Sequence, residues 1–121
     1  MTPLEAMQRI DTLLSHVWMV RTFIKHSDEA AQDEELSEVH RTLYDFMLAL
    51  GKPWEQQDAA GYLKQAQKKL SRLRKATDLF LEVQPELSAH TNFQMAARSL
   101  LAAVAEIEEI IQHVREAPGE S

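Results

Sequence analysis

The sequence contains no cysteine, and only three glycines and four prolines among its 121 residues. Without cysteine, the chain has no disulfide, no thiolate metal ligand and no cysteine nucleophile. A glycine-rich loop of the kind that binds phosphate groups is also absent from the sequence. Few glycines and prolines leave little room for loops, so we expect regular elements joined by short connections.

The sequence is also poor in long apolar runs and in positive charge. No apolar run approaches the ~20 residues that a membrane-spanning helix needs. No basic segment followed by an apolar run marks a signal peptide. The formal net charge of -6 argues against broad binding to nucleic acids or anionic membranes. We therefore expect a cytoplasmic protein with neither a nucleic acid nor a membrane as its partner.

The residues that are present favour helices throughout. Hydrophobic residues make up 45% of the chain and charged residues 26%, as in ordinary globular proteins. Apolar residues recur three and four positions apart along four segments, and no stretch alternates as a strand does. We predict an all-α fold, a four-helix up-down antiparallel bundle in a single domain, residues 1–121. The four helices are expected at about residues 3–26, 33–50, 55–83 and 92–116.

Local signals set the expected ends of these helices. The segment 2–5 has the sequence of a capping box, which starts the first helix. Gly51 followed by Pro53 predicts the end of the second helix, and Pro85 predicts the end of the third. The tail 117–121 is expected to fray.

The first predicted helix carries more apolar surface than a single core contact needs. Trp18, Met19 and Phe23 fall outside its core stripe, so apolar surface covers most of the helix. These three residues are a candidate interface, with the two aromatic side chains as anchors. We therefore expect a homodimer or a protein partner. The alternative is that the other three helices cover this surface. The core stripe itself consists of Met7, Ile10, Leu14, Val17 and Ile24.

Arg21 interrupts the apolar stripe of the first helix. A guanidinium stays charged in proteins, so a buried one needs acceptor partners. Asp28 lies on the same face two turns later, and His40 and Tyr44 lie one turn apart at the edge of the second apolar face. These four residues are a candidate binding pocket inside the bundle. The alternative is a structural network of satisfied polar groups, which is the commoner role of such residues.

Two runs in the first half of the chain resemble a known group of proteins. They are HVWMVRTFIKHSDE, residues 16–29, and VHRTLYDF, residues 39–46. Both are similar to segments of small helical bacterial proteins of a kind seen in planctomycetes. The resemblance covers less than half of the chain and implies no function.

Neither a metal site nor a cofactor is predicted. A di-iron bundle needs a glutamate three residues before a histidine on two helices, and none of the five histidines has an acid at that position. Glu106, Glu109 and His113 are spaced as metal ligands on a helix are. They lie well off the apolar face, so we expect a solvated surface there.

Two kinds of histidine chemistry occur in helical proteins of this length, phosphotransfer and RNA cleavage. Histidine phosphotransfer domains carry a lysine and a glycine close after the reactive histidine, and His40 and His90 lack that pair. RNases of the HEPN family use an arginine followed a few residues later by a histidine, and Arg21 with His26 fits this spacing. The acidic net charge disfavours attraction to RNA.

Basic residues cluster on the outer face of the third predicted helix. They are expected to form a solvated face that pairs loosely with acidic neighbours. The alternative is a docking strip for an acidic partner. The stripe consists of Lys64, Lys68, Arg72 and Lys75.

The sequence therefore predicts a non-enzymatic helical protein that acts through self-association or protein–protein interaction. The alternative is small-anion binding, or hydrolysis by a HEPN-like RNase activity, in the interior pocket around Arg21, His40 and Tyr44.

Overall fold

The computed structural model describes residues 1–115, and this part of the chain contains five α-helices and no strand. The predicted all-α class is confirmed. Residue 116, the expected end of the last helix, and the tail 117–121, which is expected to fray, lie outside the described residues. No helix within residues 1–115 is both long enough and apolar enough to cross a membrane. The helices are α1 (Pro3–Lys25), α2 (Asp28–Gln32), α3 (Glu34–Glu55), α4 (Ala59–Leu87) and α5 (Thr91–Arg115).

α1 begins with the capping box that the segment 2–5 predicts. The Thr2 hydroxyl accepts a hydrogen bond from the backbone N–H of Glu5 at 3.1 Å. The Glu5 carboxylate in turn accepts one from the backbone N–H of Thr2 at 3.2 Å. These bonds satisfy two donors that the first turn leaves without partners inside the helix. The bond from the backbone N–H of Thr2 also lowers the pKa of Glu5, because it stabilises the charged carboxylate.

The connection between α1 and α3 contains the short helix α2, where the sequence predicts a turn. The Ser27 hydroxyl donates to the carbonyl of Ile24 at 2.7 Å and accepts from the N–H of Ala30 at 3.2 Å. Asp33 then caps α3 by accepting from the N–H of Leu36 at 2.9 Å. Both side chains favour a helix start because they take up otherwise unpaired N–H groups.

α3 ends later than the sequence predicts, in a Schellman motif. The N–H groups of Gln57 and Asp58 bond the carbonyls of Trp54 at 3.0 Å and Pro53 at 2.8 Å. Gln57 holds the left-handed position of this motif, with a φ of 52°. Glycine usually fills that position, so no sequence signal marks the end of α3 here.

The predicted helix end at Gly51 is therefore wrong. Gly51 and Pro53 both lie within α3, although each weakens a helix. The half-buried Trp54 packs against the core and lies 6.3 Å from the ring of Tyr62, centroid to centroid. Burying an indole is worth more than a glycine costs a helix, so α3 continues until Trp54 is in place.

Pro85 likewise lies inside α4 instead of ending it. The N–H of Ser88 bonds the carbonyl of Gln84 at 3.0 Å, and the Gln84 side-chain amide donates to the carbonyl of Ser88 at 2.8 Å. Leu87 packs against the core at the end of the helix. These contacts hold the last turn, which Pro85 weakens because it has no N–H to donate.

The four long helices pack around a common core. α1 packs on α3, α3 on α4 and α4 on α5, and α5 packs back on α1. Two ion pairs lie at the surface of these contacts, between Arg9 and Glu106 at 2.6 Å and between Arg74 and Glu108 at 2.8 Å. Exposed ion pairs add little stability, so the apolar core holds the helices together. Its largest fully buried side chains include Met7, Ile10, Leu43, Tyr62, Phe80 and Ile107.

Candidate functional site

A groove between α1 and α3 opens to the surface and has a volume of about 360 Å³. Residues three and four positions apart lie on the same face of a helix. One such row of side chains from α1 and one from α3 therefore line this groove. Its volume is at the lower end of the roughly 300–1,000 Å³ of small-molecule sites. We call it the α1–α3 groove, and it is lined by Asp11, Leu14, Ser15, Trp18, Met19, Met47, Leu50, Gly51 and Trp54.

The α1–α3 groove is mostly apolar and contains both tryptophans of the chain. Trp18 comes from α1 and is 43% exposed, whereas Trp54 comes from α3 and is half-buried. Indole rings bind flat aromatic ligands by stacking and leave their N–H free for a hydrogen bond. The groove therefore fits a flat, partly apolar ligand.

Asp11 is the one charged residue in the lining of the α1–α3 groove. Its carboxylate accepts a hydrogen bond from the hydroxyl of the buried Tyr62 at 3.1 Å. Burial raises the pKa of Asp11, and the bond from Tyr62 offsets part of that rise. Burial and the neighbouring Asp11 charge raise the pKa of Tyr62 as well, so the phenol keeps its proton and stays a donor. Asp11 is thus held in place with acceptor capacity left for a ligand.

Arg21 lies one turn beyond Trp18 on α1 and is only 8% exposed. Its guanidinium carbon is 4.6 Å from the centre of the Trp18 ring and 4.8 Å from the centre of the Tyr44 ring. The cation therefore lies over two aromatic rings, a kind of contact that guanidinium groups favour. We call this cluster of Trp18, Arg21 and Tyr44 the Arg21 site, and Trp18 joins it to the α1–α3 groove.

The guanidinium in the Arg21 site has no acceptor within residues 1–115. Its buried Nε atom has no hydrogen-bond partner, and none of the ion pairs in this part of the chain involves Arg21. A buried charge without an acceptor is costly, and such groups are rare in folded proteins. Two cation–π contacts replace only part of the lost hydration.

His40 on α3 lies in the electrostatic field of the Arg21 site. Partial burial lowers the pKa of His40, and the positive charges of Arg21, Arg41 and Lys25 lower it further. All three charges disfavour a proton on the imidazole. Of the predicted pocket residues, Arg21 contacts Tyr44, and the charge of Arg21 acts on His40. Ligand binding there stays a prediction.

Asp28 does not join this cluster. α1 ends at Lys25, and Ser27 starts a new helix, so the helical register that relates Arg21 to Asp28 is interrupted. Asp28 is exposed and lines a separate cavity of about 340 Å³ at the end of α1, together with His26 and His90. Asp28 forms no ion pair with Arg21, so the predicted placement of an acid beside the guanidinium is wrong.

The three candidate interface residues differ in their surroundings. Trp18 and the 66% exposed Met19 lie at the surface. Phe23 is partly buried instead, with its ring edge-on to Phe93 of α5 at 4.8 Å between centroids. Helix α5 thus covers part of the surplus apolar surface of α1. A second groove, between α1 and α5, is lined by Met19 and the 48% exposed Met95.

Glu106, of the trio Glu106, Glu109 and His113, pairs with Arg9 across the α1–α5 contact. Within residues 1–115, the acids and histidines form no group that could hold a metal ion. In the basic stripe of α4, Arg72 and Lys75 line a shallow pocket beside Glu38 of α3.

Sequence reasoning missed Asp11, Trp54 and Tyr62 as site residues. Asp11 stands next to Ile10 within an ordinary amphipathic pattern, and nothing in that pattern marks it. Trp54 falls beyond the expected end of the second helix. Tyr62 reaches Asp11 across 51 positions of the sequence, a contact that only the packing of α4 on α1 creates.

Residues 1–115 therefore form an all-helical structure in which a mostly apolar groove adjoins a buried guanidinium. The sequence matches the model of the cobalamin adenosyltransferase family over residues 2–115. The chain belongs to this family. Neither the curated proteins nor the solved structures gave a significant match.

Family membership corrects the predicted function. The prediction of a non-enzymatic protein that acts only by association is wrong, because the family is one of enzymes. The alternatives of a plain anion-binding protein and of a HEPN-like RNase fall with it. The sequence lacks a cysteine nucleophile, a di-iron glutamate–histidine motif and a glycine-rich phosphate loop. When an adenosyl group is transferred to cobalamin, however, the reacting cobalt belongs to the substrate, so none of these signatures is required of the protein.

Proposed function

We propose that this chain is an enzyme that transfers an adenosyl group to cobalamin. The match to the cobalamin adenosyltransferase family over residues 2–115 is the observation that carries this proposal, because it includes all five helices. The transfer forms a bond between cobalt and the 5′ carbon of the adenosyl group and breaks the bond from that carbon to the donor's leaving group. The leaving group keeps the electron pair of the broken bond, so a reduced cobalt supplies the pair for the new one.

The α1–α3 groove is the proposed site of the adenosyl group. A purine stacks on aromatic side chains with about 1–3 kcal/mol per base, and Trp18 and Trp54 supply such faces here. Asp11 provides an acceptor for a ribose hydroxyl or an exocyclic amine. The groove also displaces water from the ligand, which strengthens the polar contacts made inside it.

Cobalamin is too large for a groove of about 360 Å³. We propose that its corrin ring lies across the apolar rim of this groove on the α3 side, beside the partly buried Met47. An apolar ring system gains from covering such surface, and the corrin's amide side chains remain in water. This placement would bring the cobalt face towards an adenosyl group that is held in the groove.

The test is direct formation of adenosylcobalamin. The full chain is incubated anaerobically with cobalamin, a chemical reductant and ATP as the donor. We expect protein-dependent product, followed by its visible spectrum and by its loss on illumination, which breaks the cobalt–carbon bond. Absence of product at protein concentrations that bind both substrates would refute the proposed activity.

A pair of variants tests the placement in the groove. Trp18→Ala removes a stacking face and is expected to raise the KM for ATP by about tenfold, the effect of 1–3 kcal/mol of lost stacking. Leu101→Ala on α5 is the matched control, because Leu101 is also a partly exposed apolar side chain but lines neither groove. Equal KM values in the two variants would exclude Trp18 from the donor site.

We also propose that α1, α3, α4 and α5 form an up-down antiparallel bundle, with α2 inserted in the first connection. The contacts of each long helix with the next, and of α5 with α1, support this arrangement. The short connections between successive helices support it as well, because they favour antiparallel neighbours.

Self-association is proposed as well, with a second copy of the chain as the partner. Met19 and Met95 are both largely exposed and line the same groove between α1 and α5. Flexible methionine side chains adapt to an apolar partner surface, and exposed apolar groups in a continuous groove favour an interface. We call this the Met19–Met95 surface. It lies beside the α1–α3 groove and leaves Trp54 and Asp11 uncovered.

A further inference from the structure

Positive charge is concentrated in the part of α4 between Ala59 and Thr77. This part holds six of the thirteen cations of the chain and no acid, although the whole sequence has 19 acids. Four of the six form the basic stripe, and their spacing of three and four positions places them on one exposed face of the helix. The stripe consists of Lys64, Lys68, Arg72 and Lys75, with Lys69 and Arg74 beside it.

No cation of the basic stripe forms an ion pair within residues 1–115. Of the α4 cations in this part of the chain, only Arg74, which lies outside the stripe, is paired with acids. Like charges four positions apart destabilise a helix, and the stripe contains two such pairs, Lys64 with Lys68 and Lys68 with Arg72. The stripe therefore adds nothing to the stability of α4, and its unpaired charges are available to an acidic partner.

An open pocket of about 350 Å³ between α3 and α4 adjoins the basic stripe. Val39 and Ala76 are buried and Leu79 is half-buried, so much of its lining is apolar. We call it the α3–α4 pocket, and it is lined by Glu38, Val39, Thr42, Arg72, Lys75, Ala76 and Leu79. Apolar lining beside two cations fits an apolar side chain that has a carboxylate close to it in its own chain.

We propose that the basic stripe docks an acidic segment of a partner protein, with one apolar side chain of that segment in the α3–α4 pocket. Neighbouring cations of the stripe are about 4.5–6 Å apart along the helix axis. Acids at alternate positions of an extended segment are about 6.6 Å apart, so successive carboxylates can meet successive cations. At Arg72 the pairing can be bidentate, which adds geometric specificity to the attraction.

The charge of the whole chain favours a short protein segment over a nucleic acid. A nucleic acid is negatively charged along its entire length, and the net charge of -6 repels whatever extends beyond the stripe. An acidic segment of a few residues contacts the stripe alone. The proposed interface between copies of the chain lies on α1 and α5, so it leaves the stripe on α4 open to a different partner.

Fluorescence anisotropy with the full chain measures the binding of a defined probe. The probe is a fluorescein-labelled peptide in which glutamate and serine alternate on both sides of a single leucine. We expect saturable binding to wild type that weakens several-fold between about 0.01 and about 0.15 M salt, because salt screens exposed charges. Absence of binding at the lowest salt concentration would overturn the proposal.

Variants of the stripe locate the binding. Lys68→Glu/Arg72→Glu should weaken the peptide by about tenfold or more at about 0.1 M salt, because two attractive contacts become repulsive. Glu38→Gln should strengthen binding by about twofold, because it removes an acid from the lining of the α3–α4 pocket. Circular dichroism melts establish that the variants are folded, and Lys68→Gln/Arg72→Gln should also bind more weakly than wild type.

Lys52→Glu/Arg98→Glu is the matched control, because it makes the same change in net charge at two exposed cations outside α4. It should change the affinity by less than about twofold at about 0.1 M salt, where screening limits charges to a range of about 10 Å. Equal losses in the two charge-reversal variants would overturn the proposal, since net charge alone would then attract the peptide.

The remaining measurements distinguish other occupants of the stripe. A peptide with serine in place of the leucine should bind several-fold more weakly, and equal affinities would refute an apolar anchor in the α3–α4 pocket. Tighter binding of a labelled single-stranded DNA than of the peptide would assign the stripe to nucleic acid and overturn the proposal. A lower mass of Lys68→Glu/Arg72→Glu than of wild type in light scattering would assign it to a contact between copies and overturn the proposal as well.

Discussion

Arg21 is an unusual core residue because it gains little from the fold that buries it. Its two cation–π contacts are worth about 0.5–2 kcal/mol each, whereas removing a charge from water costs several kcal/mol. An arginine that only filled space at this position would be less favourable than methionine. The balance of these terms therefore indicates that the cation lowers the stability of the unliganded protein.

We expect Arg21→Met to stabilise the free protein. Methionine keeps most of the apolar stem that packs on Trp18 and Tyr44 and removes the unpaired charge. A gain of about 1 kcal/mol corresponds to a rise in Tm of about 4 °C for a chain of this size. Thermal unfolding followed by circular dichroism measures it. A fall in Tm would show that an acceptor stabilises the guanidinium after all.

His40 should make the stability of the protein depend on pH. Its pKa is lower in the folded state than the ordinary value of 6.5, because burial and the charges of Arg21, Arg41 and Lys25 oppose protonation. The unfolded state therefore binds more protons, and stability falls as the pH drops through and below 6.5. His40→Gln should lose less stability than wild type between pH 7.5 and about 5.5. Denaturant unfolding at both pH values gives this difference, and parallel losses in the two proteins would contradict it.

The spacing of apolar residues is enough to predict which face of each long helix is buried. Leu43, Phe46 and Leu50 recur on one face of α3, and all three are buried as that spacing requires. Local sequence signals mispredict the helix end at Gly51, because the helix continues in order to pack Trp54 against the core. The hydrogen bond from Tyr62 to Asp11 likewise depends on tertiary packing, so no local pattern contains it.

The sequence gives no sign of the site where the proposed reaction takes place, and the reason is chemical. A catalytic nucleophile or a metal-binding motif leaves residue types at a fixed spacing, and these can be read from a sequence. A groove that binds a reactive substrate consists of ordinary apolar residues, such as Met47 and Leu50, which look like any other helix face. The sequence marks the candidate pocket only through Arg21, a charged residue that interrupts such a face.

Gly51 offers a test of how α3 is stabilised. It lies within the helix, and a methyl group added at its Cα would have no atom within 4 Å apart from its chain neighbours and the nearby backbone of its own helix. Gly51→Ala should stabilise the protein by about 0.5–1 kcal/mol, because alanine loses less backbone entropy in a helix. The free energy of unfolding in urea measures this gain. A loss of stability would mean that the backbone at Gly51 departs from ordinary helical geometry.

At the scale of the whole molecule, the Met19–Met95 surface predicts that copies of the chain associate. We expect light scattering to give a mass of twice the 13.8 kDa of one chain at micromolar concentration. Met19→Glu should reduce the mass to that of one chain, because a carboxylate cannot be buried cheaply in an apolar interface. Leu101→Glu on α5, outside this surface, should leave the mass unchanged. A wild-type protein that remains monomeric at every concentration rules out the proposed self-association.

The packing of α5 on α1 also determines when the protein can fold during its synthesis. Arg9 and Glu106, which join these helices, are 97 positions apart in the chain. Helix α1 is synthesised before its partner α5, with roughly 3–13 s between them at the usual rates of translation. For that time the face of α1 that α5 will cover, including Phe23, has no native partner. The face of α1 that α5 covers therefore stays without its native partner until α5 has been synthesised, and the contact of α5 with α1 is the last of the long-range helix contacts to form.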